Sequence, residues 1–196
     1  MDGCRGGWVV ASPDGLRIVP AFAGIVAERF DLALFDIPIG LPQSGPRACD
    51  VEARRLIGPR RSSVFPAPPR RLLSAARYAG QCSVQLWNIL PKIREVDSAI
   101  TPRLQRRIRE AHPECSFRLL HGGPLPHAKK TPPGLALRRR LLRPHFGPLE
   151  AIPGAALDDV LDAYALLWSA GRVAAGTGLA LGGGRDARGL RCEICA

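Results

Sequence analysis

The segment Leu32-Ala33-Leu34-Phe35-Asp36-Ile37-Pro38 constrains the fold most. Its continuous apolar run has the length of a strand covered on both faces. A carboxylate and then a proline close it. In open α/β sheets, ligands and catalytic groups gather at the carboxyl ends of such strands. Asp36 is thus a candidate site residue as well as a strand end. Around it, Trp8–Ala11 and Leu16–Val19 read as a hairpin about the turn Ser12-Pro13-Asp14-Gly15. Arg107–Ala111 reads as a third region of strand. Ala48–Ile57 and Thr131–Leu142 read as helices, and Ser116–His121 as a short one closed by Gly122-Gly123. Ile25–Arg29 is weakly helical, and Ser83–Ile89 is irregular or helical. The strongest helix spans Ala155–Ala175, where Leu157, Leu161, Tyr164, Leu167 and Trp168 recur at helical spacing. A final strand at Leu190–Ile194 would lie at a sheet edge. The expected class is α/β.

With 196 residues, 46% of them hydrophobic, the chain suits one domain with a substantial core. Residues 42–71, rich in Pro, Arg and Ser, read as a long insertion around the helix at Ala48–Ile57. A structureless stretch of that length is uncommon unless functional. The opening Met1-Asp2-Gly3 shows no secretory signal, and no apolar run reaches the ~20 residues of a membrane span. A soluble, cytoplasmic protein is expected. Its six cysteines are then expected to be reduced thiols. Cys192 and Cys195 form a single C-x-x-C, and a zinc site ordinarily needs a second pair.

The formal charge of +11 and sequence pI of about 10.4 favour polyanionic partners. The chain has only three lysines, Lys92, Lys129 and Lys130. Arginine used in place of lysine, alongside abundant Ala, Gly and Pro, also reflects a GC-rich genome, so local clusters weigh more than the total. One cluster is Arg54, Arg55, Arg60 and Arg61 beside Ser62-Ser63. The other is Lys129-Lys130-Thr131 ahead of a helix bearing Arg138 to Arg140. Guanidinium groups, hydroxyls and helix N-termini all suit phosphate. A solvated charged face is the alternative for Arg138 to Arg140.

The acids are scattered along the chain but sit at element ends. Asp2 precedes a strand and Asp36 ends one. Glu110 and Glu114 flank His112-Pro113, and Asp158, Asp159 and Asp162 open the long helix. Asp159 and Asp162 are three residues apart and can share a helix face. Carboxylates gathered in one site repel by about 4 kcal/mol per pair at about 4 Å in an effective dielectric near 20, so they imply a cation. Hard oxygen donors select Mg²⁺ or Mn²⁺, and such ions activate water in phosphodiester cleavage. Asp158 or Asp159 could instead cap the helix, and Asp36 could serve a turn. The start Asp2-Gly3-Cys4-Arg5-Gly6-Gly7-Trp8 allows close backbone approach to phosphate or metal, or simply a tight turn. It is not a Walker A loop.

Beyond these, Asp36-Ile37-Pro38-Ile39-Gly40-Leu41-Pro42, Arg47-Ala48-Cys49-Asp50, Arg61-Ser62-Ser63-Val64-Phe65, Trp87-Asn88-Ile89-Leu90-Pro91-Lys92-Ile93, Glu95-Val96-Asp97, His112-Pro113-Glu114, Lys129-Lys130-Thr131 and Asp158-Asp159-Val160-Leu161-Asp162-Ala163 follow in order. In this series the chain resembles the bacterial and archaeal family filed as domain of unknown function 429, whose members are predicted to be ribonuclease-H-like nucleases. The resemblance spans nearly the whole sequence and implies a ribonuclease-H-like mixed sheet flanked by helices. It implies Asp2, Asp36 and Glu114 as metal ligands, with Glu110 and Asp158 as second choices. The Asp159-x-x-Asp162-Ala163 pattern is similar to the last helix of Holliday-junction resolvases, where paired aspartates complete the metal site. Arg61, Ser62, Lys129, Lys130 and Arg5 would hold phosphate. The family carries several apolar residues ahead of the Asp-Gly-Cys motif. Here only Met1 stands there, as a clipped first strand or a misassigned start would leave it.

The expected function is metal-dependent cleavage of nucleic acid, DNA or RNA. Catalysis would rest on Asp2, Asp36, Glu114, Asp159 and Asp162 with Mg²⁺ or Mn²⁺. A homodimer is left open, and no membrane partner is expected. The alternatives are a non-catalytic nucleic-acid-binding protein and a nucleotide-binding phosphotransferase of related fold.

Overall fold

Alternation of apolar side chains on short strands sets the architecture. A computed structural model describes residues 1–196. Strands β1 (Asp2–Cys4), β2 (Gly7–Ser12) and β3 (Gly15–Val19) form an antiparallel meander, with Asp2 opposite Val9 and Trp8 opposite Val19. Gly7 is required at its tight corner. Its φ is +133°, and a Cβ there would lie 2.2 Å from the Val19 carbonyl oxygen. That packing reason accounts for this glycine without any ligand.

Strand β4 (Ala33–Phe35) pairs in parallel with β5 (Ile108–Glu110), Phe35 opposite Glu110. Two backbone bonds join the meander to β4: Met1 N donates to Leu34 O at 2.7 Å, and Asp36 N donates to Met1 O at 3.1 Å. On the far side, Ala111 bridges in parallel to Cys195 of β7 (Arg191–Cys195), which pairs antiparallel with β6 (Ala180–Arg185). Across these joins the strands run β3-β2-β1-β4-β5-β7-β6.

Helices cover both faces. Trp8 and Val10 of β2 point to one face with Phe35 of β4. There they meet α1 (Phe22–Ala27) and α3 (Val84–Ala99) through Phe22, Ile25, Leu90, Ile93 and Val96. Phe35 packs edge to face with both Trp8 and Phe22, which are tilted to each other, with ring centroids 5.3 to 6.3 Å apart. Val9 and Ala11 point to the opposite face, against Val160 and Ala163 of α6 (Leu157–Ala174). The strict period of two, with both sides buried, makes β2 a central strand. Behind α6 lie α4 (Pro113–His121) and α5 (Pro132–Phe146), joined through Phe117, Leu137, Leu161 and Ala165. Helix α2 (Ala48–Ile57) packs Cys49, Ala53 and Ile57 on Leu181 and Ile194 of β6 and β7. The chain is an α/β protein. No helix is long and apolar enough to cross a membrane.

Several elements differ from expectation. The weak helix starts at Phe22 rather than Ile25. α3 is one helix of 16 residues that runs well past the irregular or helical Ser83–Ile89 and continues through Pro91. Its buried Leu90, Ile93 and Val96 outweigh the hydrogen bond that Pro91 removes. α4 begins at Pro113, three residues before the expected start. The His112 ring Nδ1 accepts from Glu114 N and caps it, and proline suits the first helical position. The glycine-rich segment Ala180–Arg185 forms a strand that local composition does not announce. It covers β7, so β7 is not the edge. Within residues 42–71, Gly58–Ser63 and the start of Arg70–Ser74 form 3₁₀ turns on either side of an extended, proline-rich arch.

Candidate functional site

Four elements end on one cavity of about 670 Å³: β1, the carboxyl end of β4, the N-terminus of α4, and the first two turns of α6. They bring Asp2, Asp36, Glu114, Asp159 and Asp162 to its wall. Lys129, Arg5 and Ser62 line it too.

The acids differ in their surroundings. Asp2 is 8% exposed, and its Oδ1 accepts from Gly3 N at 2.7 Å. Burial, with Asp36 and Asp162 nearby, holds its carboxyl well above the ordinary range. Asp162 is 1% exposed, and its Oδ2 accepts from Lys129 Nζ at 2.7 Å. Burial pushes its carboxyl up to about 6. Lys129 opposes that rise, while Asp36 and Glu114 add to it. Burial also raises half-buried Asp159, helped by neighbouring Asp158. The Lys129 ammonium is disfavoured by burial, yet Asp162, Asp2 and Asp36 hold its pKa above the usual lysine range.

Glu114 is steered from behind. Its Oε1 accepts from Arg138 Nη2 at 2.5 Å, and its Oε2 has no hydrogen-bond partner, the nearest cation being Arg60 Nε at 3.8 Å. Arg138 is fully buried on α5, with its guanidinium 5.1 Å from the Phe117 ring centroid. It is therefore neither a solvated face nor a phosphate contact, because its only ion-pair partner is interior. Glu110 reaches the cavity wall but is fully engaged. It accepts from Arg47 at 2.7 and 2.6 Å and from Ile39 N at 2.7 Å. Burial pushes its carboxyl up against the pull of Arg47. It is a structural brace rather than a spare ligand.

Three candidates stand elsewhere. Asp158 is not on the cavity wall. Its Oδ2 lies 3.6 Å from Lys130 Nζ. Nor does it cap α6, whose N-cap is Ala156 with no side-chain cap bond. The Lys130 side chain is 78% exposed, outside the cavity. Arg61 lines a separate open hollow with Arg54, Arg55 and Gly58.

The donor chemistry fits a hard divalent cation. The wall offers carboxylate oxygens, of which Asp162 Oδ1 and Glu114 Oε2 are buried without a partner. The spacing is not closed: no three His, Cys, Asp or Glu side chains stand close enough to hold one ion. Lys129 sits against Asp162 instead, so a shared ion requires Asp side chains to turn and this ammonium to yield.

Residue-level reading of the sequence missed four contributors. Lys92 lines the cavity, donates to Gly7 O at 2.5 Å and lies 4.5 Å from the Trp8 ring centroid. Two of the chain's three lysines thus reach this one cavity, a signal that their scarcity offered. Phe65, Ile89 and Asn88 also line it. Nothing in their local sequence distinguishes them from loop and helix-surface residues.

The family model described as Protein of unknown function (DUF429) matches residues 1–187. The chain belongs to that family. No curated protein and no solved structure matches it. The cavity residues Asp2 through Asp162 all lie inside the span matched by DUF429.

Proposed function

We propose that the chain is a metal-dependent phosphodiester hydrolase of ribonuclease-H-like fold, acting on nucleic acid. The strand order β3-β2-β1-β4-β5, antiparallel within the meander and parallel from β1 to β5, supports the fold reading. One observation carries the function. Seven carboxylates line one cavity; Arg47 engages Glu110 and Asp50, and among the other five two buried oxygens lack partners. A protein sustains such a wall where a cation offsets the repulsion.

Asp2, Asp36, Glu114, Asp159 and Asp162 would hold Mg²⁺ or Mn²⁺. When bound, the ion supplies Lewis acidity for water activation and for the leaving oxygen. Arg138 grips one oxygen of Glu114 and leaves the other without a hydrogen-bond partner. Arg5, Ser62 and Lys129 line the same cavity and would orient a phosphate, and the net charge of +11 favours arrival of a polyanion. Lys129 also keeps Asp162 paired when no ion is present.

The same Lys129–Asp162 pair favours a second reading, a non-catalytic nucleic-acid-binding protein in which the ammonium permanently replaces the ion. Labelled DNA and RNA, single-stranded, duplex and branched, separate the two. The wild-type chain is expected to cut at least one of them with Mn²⁺ and none in EDTA. Asp36→Asn and Asp159→Asn should bind as the wild type does in EDTA, yet cut nothing in Mn²⁺. Binding without cleavage by the wild type under every condition would leave only the second reading.

A further inference from the structure

We infer that this cavity takes an unpaired nucleotide of a single strand, its base stacked on Phe65, and does not accept a base held in a duplex. The inference rests on the reading of the cavity as a nucleic-acid site. Only four large apolar side chains stand strongly exposed on the molecule: Phe65, Tyr78, Val84 and Ile89. Two of the four, Phe65 at 43% and Ile89 at 37%, line the cavity that holds the acids. Pro66 and Leu86 complete an apolar stretch of the same wall.

Phe65 is not exposed because its loop is slack. The residue before it, Val64, is buried, and its carbonyl accepts from Arg54 Nη1 at 2.9 Å. Two residues on, Ala67 is buried and its N donates to Asp50 Oδ2 at 3.1 Å. Pro66 between them further limits the backbone. The chain is pinned on both sides of an aromatic ring left facing solvent at a cavity mouth. A rigid, exposed aromatic is the usual platform for an unstacked base.

The remaining chemistry of the cavity matches the rest of a nucleotide. Arg5, Lys129 and Ser62 suit the phosphate beside the acids, and the exposed amide of Asn88 can pair with a base edge. The volume of about 670 Å³ lies in the range that encloses a small organic group. Within a duplex both faces of a base are already covered by its neighbours. Such a base would have to leave the stack before reaching Phe65.

Fluorescence anisotropy in EDTA tests this on the full chain without cleavage. The probes are a labelled single strand of about 12 nucleotides, the duplex of the same sequence, and a free mononucleotide as competitor. The single strand should bind at least about tenfold more tightly than the duplex. Phe65→Ala should lose about tenfold for the single strand and leave the weaker duplex binding unchanged, while Phe65→Trp should retain affinity. A 2-aminopurine base in the strand should be quenched on binding to wild type and not to Phe65→Ala. Equal affinity for strand and duplex, an unchanged Phe65→Ala, or a mononucleotide that competes as well as the strand would each overturn the inference and leave the cleavage proposal standing. Absence of binding to any nucleic acid would overturn both.

Discussion

Lys129 Nζ donates to Asp162 Oδ2 at 2.7 Å, and this bond sets one of the two lysines ahead of α5 against a carboxylate that is 1% exposed. The lysine comes from the segment before α5 and the aspartate from the second turn of α6. Asp36 and Glu114 raise the cost of the Asp162 charge, and Lys129 offsets it. Removing the ammonium strands a buried anion. Breaking a fully buried pair costs about 3–5 kcal/mol. Lys129 is 37% exposed on its side chain, so Lys129→Met should cost less, about 2 kcal/mol near neutral pH. Urea denaturation measures it. Mn²⁺ should restore more stability to this variant than to the wild type, because the ion then meets no competing ammonium. Equal Mn²⁺ effects on both proteins would contradict a shared place for ion and ammonium.

The Arg138–Glu114 pair makes a sharper prediction, since both partners are almost wholly buried. Arg138→Met should destabilise by about 3–5 kcal/mol, because Glu114 keeps its charge with only Arg60 at 3.8 Å to answer it. The double variant Arg138→Met with Glu114→Gln should recover most of that loss, since no unpaired charge is left inside. Denaturation midpoints of the two singles and the double complete the cycle. Additive losses would mean that the pair contributes through packing alone.

Stability should fall as pH rises across the acid range. Asp162 keeps its proton in the folded chain up to about 6, while an unfolded aspartate releases it near 3.8. Between those values the folded state binds more protons, so each step up in pH favours unfolding. Below about 4 the group is neutral in both states and costs nothing. Above about 6 it is charged in both, and the full penalty of about 3 kcal/mol is present. Asp2 acts in the same direction. A divalent ion should oppose the penalty where the acids are ionised. About 10 mM Mg²⁺ should raise Tm near pH 7.5 and leave it unchanged near pH 4.5. A Tm insensitive to Mg²⁺ at both pH values would argue against a cation among these acids.

Much of this arrangement is visible in the sequence wherever local pattern and tertiary demand agree. Ala48–Ile57 is a helix residue for residue, and the hairpin follows from the apolar runs Trp8–Ala11 and Leu16–Val19 about the turn Ser12-Pro13-Asp14-Gly15. The acids could be picked out because strand ends and helix starts face the same edge of the layers. Arg138 could not. It sits in a run of three arginines, and only Glu114, 24 residues away in sequence, decides that it turns inward. The course of α3 through Pro91 depends on the core receiving Leu90 and Ile93, which no window around the proline reveals. β6 has glycine at three successive positions of positive φ, Gly182 to Gly184, and exists because β7 offers it a partner. Phe65 is hidden for a similar reason. Its exposure follows from how Val64 and Ala67 are anchored.

Asp2 brings stability and function into direct conflict. The residue is buried, its Oδ1 accepts from Gly3 N, and Asp36 and Asp162 disfavour its charge. An asparagine keeps the shape and the acceptor oxygen for Gly3 while removing the charge. Asp2→Asn should therefore raise Tm near neutral pH in EDTA by about 2–4 °C, the equivalent of roughly 1 kcal/mol in a chain of this size. Near pH 4.5 the gain should be smaller, since burial and the neighbouring Asp36 and Asp162 favour the protonated carboxyl in the fold. The same variant should show a smaller rise of Tm with Mg²⁺ and should lose cleavage, since a charged oxygen facing the cavity is gone. Scanning calorimetry at the two pH values, with and without Mg²⁺, reads all three effects. A variant less stable than wild type at both pH values would mean that the charge of Asp2 is itself a structural requirement, and the conflict proposed here would not exist.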